Sequence, residues 1–142
     1  MKQLLAFLLL CLSTLAFAQI TEVRINELEP DVVGTDTTGT EFVELFGPPN
    51  QSLDGLIIVF ITGASDDSYD VYDLTGHTTD EAGFFVLGGQ NTPNVDLLLI
   101  PNPQGSIQNG ADAVVLIEGS ALDWPMGTPA NADFAIDAIV YG

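Results

Sequence analysis

Basic side chains are almost missing from this chain. Lys2 and Arg24 are the only Lys or Arg among 142 residues, against 20 Asp plus Glu, for a formal net charge of −18. Such a surface repels phosphate backbones and anionic membrane surfaces, so direct nucleic-acid binding is not expected. It attracts divalent cations, and salt screens the repulsion among its exposed charges. Cysteine occurs once, at Cys11, and lysine nowhere after Lys2. Beyond the first 18 residues, then, thiol and Schiff-base chemistry have no nucleophile. Histidine also occurs once. His77 lies in the turn Gly76-His77-Thr78-Thr79, with no nucleophile-elbow sequence anywhere in the chain, and reads as an exposed loop residue rather than a general base. Phosphoryl transfer would need cations or a metal to stabilise developing charge, and the organic cations reduce to Arg24. Twenty carboxylates offer many pairs for glycoside hydrolysis, but with Trp124 as the sole tryptophan an aromatic-lined sugar cleft is not expected. The composition points to a protein that is not an enzyme and needs no organic cofactor.

The chain opens on MKQLLAFLLLCLSTLAFAQI. Lys2 gives a basic start, Leu4–Leu15 an apolar run, and Ala16-Phe17-Ala18 a small-x-small cleavage site, so residues 1–18 read as a secretory signal peptide. The run is too short for a stable membrane span. Cys11 follows Leu10, where a lipoprotein signal wants a small residue. Export is expected, with a mature chain from Gln19 that has no cysteine. A secreted domain without disulfides relies on its hydrophobic core or on bound metal to stay folded.

From residue 19 onward the chain is patterned as strands. Apolar and β-branched runs occur at Val23–Leu28, Phe42–Phe46, Leu56–Thr62, Tyr69–Leu74, Phe84–Leu87, Val95–Ile100, Ala113–Ile117 and Ile136–Tyr141. Gly, Pro, Asn and Asp separate them, and no window sustains a helical period after residue 20. This spacing predicts one all-β domain over residues 19–142, an antiparallel sandwich or barrel. The six-residue apolar run Leu56–Ile61 predicts a strand covered on both faces. The chain stops on the apolar Ile136–Tyr141 plus Gly142, as though cut at or just after a core strand.

Ile25-Asn26-Glu27-Leu28, Gly39-Thr40-Glu41-Phe42-Val43-Glu44-Leu45 and Leu53-Asp54-Gly55-Leu56 together resemble the opening of a lamin-tail domain of the secreted bacterial type. Gly83–Gly88, Gln108–Val114 and Ile136–Gly142 are similar to later parts of that family, so the resemblance covers most of Ile20–Gly142. It implies an immunoglobulin-like antiparallel β-sandwich and a non-catalytic binding or tethering module, with a protein or cell-envelope component as partner. It also implies that the domain stands alone as a monomer or accompanies further domains. The alternatives are the amino-terminal accessory domain of an exported nuclease or phosphatase, and a calcium-stabilised adhesion domain. The basic surface with which nuclear lamin tails meet DNA has no counterpart here.

Three sets of residues are candidates for chemistry. Ser65–Leu74, SDDSYDVYDL, carries Asp66, Asp67 and Asp70, which could offer oxygens to Ca²⁺, with Asp73 nearby. The EF-hand order is absent, strand alternation puts Asp70 and Asp73 on opposite faces, and Asp66 and Asp67 suit a turn. On that alternation Tyr69, Val71 and Asp73 share one face. Asn26, Glu27 and Glu44 form the second set: Glu44 shares a face with Phe42 and Phe46, and Glu27 lies beside Val23 and Ile25. These carboxylates either face solvent or accept backbone donors where strands meet. The third is Trp124-Pro125-Met126 in the long last loop, placed for recognition or folded back as a lid.

Overall fold

A computed structural model describes residues 22–31, 39–100 and 107–142. The leader expected over residues 1–18 lies outside these. Among the described residues eight strands form two four-stranded sheets: β1 (Arg24–Glu29), β2 (Phe42–Phe46), β3 (Leu56–Thr62), β4 (Asp67–Asp73), β5 (Phe84–Gly88), β6 (Leu97–Leu98), β7 (Asp112–Glu118) and β8 (Ala135–Tyr141). One sheet has the order β1-β2-β5-β6 and the other β4-β3-β7-β8. The molecule is an all-β sandwich. Among the described residues no helix is long and apolar enough to cross a membrane.

One pair departs from the antiparallel expectation. β6 runs parallel to β5 and holds only two residues, where the sequence suggested Val95–Ile100. Asp96 explains the shortening. Its carboxylate accepts the Val86 N–H at 2.8 Å while its own N–H donates to the Val86 carbonyl at 2.9 Å, so a side chain takes a place in the ladder. The Ile100 N–H then donates to the Tyr72 hydroxyl, 3.0 Å away on the other sheet.

The core lies between the sheets, where Val43 and Leu45 of β2 and Phe85 and Leu87 of β5 meet Leu56, Ile58 and Phe60 of β3 and Val114 and Leu116 of β7. A second apolar layer covers the opposite face of β3, with Ile57, Val59 and Ile61 packed with Ile117 and Trp124. All six residues of Leu56–Ile61 are buried, as the unbroken apolar run predicts. Burying each such side chain contributes about 1.5–3 kcal/mol, which makes β3 the central strand energetically as well as spatially.

Bulges interrupt three edge strands among the described residues, and in β8 the extra residue is Ile136, between the partners of Leu116 and Ile117. In β1 the register shifts between Ile25 and Glu27, so Asn26 is the extra residue. Val23 and Ile25 point inward, Glu27 turns out opposite Glu44, and Leu28 turns in to pack against the core. In β4 the shift falls opposite Phe60/Ile61 and leaves Tyr69 unpaired. Tyr69 therefore packs on Phe60, with ring centroids 5.7 Å apart, and joins Tyr72 on the core side. The expected grouping of Tyr69 with Val71 and Asp73 is corrected by that inserted residue.

Candidate functional site

The connection from β7 to β8 builds an apolar hollow on the outside of the second sheet. β4 and β8 are opposite edges of their sheet, yet residues 119–134 visit both, so this connection must cross the sheet's outer face. A 3₁₀ turn, Ala121–Asp123, is capped by the Ser120 hydroxyl and delivers Trp124 onto that face, where it is buried. The chain then runs along the edge of β4. Gly127 N–H donates to the Ser68 carbonyl, Ser68 N–H to Thr128, and Ala130 N–H to Asp66, each at 2.8 Å. Ser68, itself buried, locks this run by donating its hydroxyl to the Pro125 carbonyl at 2.8 Å and accepting the Thr128 N–H at 3.1 Å. A second 3₁₀ turn, Ala132–Phe134, capped by Asn131, leads into β8.

Between this connection and the β7–β8 surface lies a trough of about 450 Å³. Alanine is its commonest lining residue, with Ala113 and Ala138 from the strands and Ala130 and Ala132 from the connection; Val115, Ile117 and Val140 add larger apolar groups, and Trp124 closes it. Small side chains on an exposed sheet face leave the volume unfilled. An adjoining hollow shares Ile117, Trp124 and Asn131 with the trough and adds Glu118, Asp123 and Phe134. Val140 and Phe134 are 80% and 57% exposed, and Leu122 and Met126, either side of Trp124, are 91% and 81% exposed. That much bare apolar surface is notable on a chain of this charge. Trp124 itself is a buried wall, so it folds back as one of its two sequence readings had it, over a sheet face rather than a sandwich end.

The carboxylates of Ser65–Leu74 go to separate places. Asp66 is exposed in the turn before β4 with φ 59°, and its carbonyl receives Ala130. Asp67 opens β4 and bridges Pro129. Asp70 accepts the Val71 N–H at 2.9 Å and the Tyr72 hydroxyl at 3.0 Å. Asp70 pairs with Phe60 and Asp73 with Ile57, neighbours on opposite faces of β3, as alternation predicts. Among the described residues no three His, Cys, Asp or Glu side chains come together so as to hold a metal.

Glu44 and Glu27 face each other on the solvent side of the first sheet, and Glu44 accepts from the Asn26 amide at 2.7 Å. The solvated alternative is the right one for both. The buried carboxylates lie elsewhere. Glu41, 3% exposed, accepts the Ile107 N–H at 2.9 Å, and Asp112, 5% exposed, accepts the Gly63 N–H at 2.8 Å. Nothing but position distinguishes them in the sequence: Glu41 just precedes β2 and Asp112 opens β7, each soon after a glycine, where a loop must be tied down. At Gly63 the backbone comes so close to the Ala111 carbonyl that any side chain would collide with it.

Tyr69 and Tyr141 meet at this same end of the sandwich, the Tyr141 hydroxyl donating to the Gln108 carbonyl and the Tyr69 hydroxyl accepting the Gln108 N–H, both at 3.1 Å. Burial pushes both phenols above their ordinary value, and that of Tyr72 as well, with nearby carboxylate charge adding to the shift. His77 is half-buried, its ring edge-on to Phe85 at 5.3 Å, so it is a packing residue more than the exposed one expected.

The trough, the buried acids and the tyrosines were all hidden from composition, since each is assembled from distant segments. Compared with known proteins, the chain matches no family model and no curated protein.

Proposed function

We propose that this chain is a secreted, non-catalytic binding or tethering module of lamin-tail type, and that it holds its partner at the trough beside Trp124. The observation that carries the reading is an unfilled, alanine-rich trough with bare Val140 in its lining and bare Phe134 in the adjoining hollow, on the outer face of a sandwich. Apolar patches of this kind mark interaction surfaces, and here the long connection that builds the patch is held on a rigid scaffold. The resemblance of Gly39–Leu45 and Ile136–Gly142 to secreted bacterial lamin tails supports the same role. The leader-like residues 1–18 support its site of action outside the cell.

The test is retention. A fluorescent protein fused after Gly142 should stay with the envelope of the producing cells, and Ala138→Phe, which fills the trough from an exposed strand position, should release it to the medium. Equal release of both fusions would end the tethering reading.

A further inference from the structure

We propose that the trough takes a short segment of another protein whose apolar centre is flanked on both sides by lysine or arginine; this rests on the tethering reading above and specifies its partner. Alanines set among Val115, Ile117 and Val140 leave room for a ligand's aliphatic groups, and Trp124 gives them a flat wall. The charges around it have one sign. Asp66, exposed, lines the trough, while Glu118 and Asp123, also exposed, line the adjoining hollow beyond Ile117 and Trp124. Among the described residues no Lys or Arg lines either one. Carboxylates on two sides of an apolar bed complement a ligand that is apolar in the middle and cationic at its ends.

The chain cannot supply that ligand to itself. Its cations are Lys2 and Arg24, and the Arg24 guanidinium donates to the Val23 carbonyl, at 2.7 Å, on the first sheet. A second copy fails for the same reason, since it would bring together two chains of net charge −18 with no cation among the described residues at the trough of either. A basic partner gains from this field instead. Burial of its apolar centre holds it, while the flanking charges choose it and speed its arrival.

Trp124 is the only tryptophan and reports directly on the trough. The full chain is titrated with two tryptophan-free peptides, KRVLIVRK and EEVLIVEE, following Trp124 emission at low and high salt. The basic peptide should bind saturably and about tenfold more tightly at low salt, with the preference shrinking as salt screens the acids. The paired substitution Asp66→Asn/Asp123→Asn, at exposed positions, should remove most of that preference, and Ala138→Phe should abolish binding at an unchanged Tm. Equal affinity for both peptides, no saturable change with either, or self-association through this face on sedimentation would overturn the proposal. If the peptides fail while the fusion is still retained on cells, the partner chemistry is wrong and tethering stands. If the basic peptide binds while the fusion is released, the trough is a peptide site and tethering falls.

Discussion

Asp80 shows how this chain uses its acids. The carboxylate accepts the N–H groups of Ala82 and Phe84, each at 2.8 Å, and shapes the turn that starts β5. Asp54, Asp73, Asp96 and Asp137 do the same for Gly76, Thr75, Val86 and Ile25. Several of these bonds join distant segments: Asp137 to Ile25 ties the edge of one sheet to the edge of the other. A carboxylate that accepts backbone donors is favoured in its charged form. The bond to Phe84 is the largest cause that holds Asp80 below its ordinary 3.8, and those to Thr75 do so for Asp73. A depressed folded value contributes stability that is present above about 3.8 and lost as pH falls through the lower folded value. Asp80→Asn should therefore lower Tm at pH 7, and the gap from the unsubstituted chain should close as the pH is taken toward about 2. A gap that stays constant across that range, in melts followed by circular dichroism, would mean that Asp80 works through shape rather than charge.

At the scale of elements, much was legible. Phe42–Phe46 and Leu56–Thr62 are strands at the bounds their apolar runs suggest, and the other long strands differ by a residue or two. Binary pattern carries that information because each strand buries one face or two. The bulges were not legible. Asn26 and Tyr69 look like ordinary members of alternating runs, and only pairing with β2 and β3 makes each the extra residue that flips its neighbours. For the same reason the alternation left Glu27 and Glu44 open between facing water and accepting backbone donors, and gave no sign that Glu41 and Asp112 are buried. The role of the β7–β8 connection was half visible, in Trp124, but its path required the sheet order. That path makes a strong prediction. Trp124 packs on Ile57, Val59 and Ile117 and closes the outer face of β3. Trp124→Ala should cost about 3–5 kcal/mol, because truncation opens a cavity over the central strand and frees the connection. Urea unfolding measures this, and a loss under about 1 kcal/mol would show that β3 does not depend on its outer cover.

Over the whole molecule, the formal charge of −18 has no counterweight. The compact state therefore concentrates like charge that the unfolded chain disperses. Added salt should relieve this, and Tm should rise on the order of 5 °C between about 0.02 M and 1 M sodium chloride at pH 7. Calcium separates two causes of such a rise. Screening depends on ionic strength alone, whereas a bound ion stabilises in proportion to its occupancy of a site. The Asp70 carboxylate is taken by the Val71 N–H and the Tyr72 hydroxyl, and among the described residues no three acids come together so as to hold a metal. At matched ionic strength, calcium chloride should therefore raise Tm no more than sodium chloride does. An additional rise with calcium, lost in Asp66→Asn/Asp67→Asn, would instead place a calcium site in the turn before β4, at the rim of the trough that Asp66 lines.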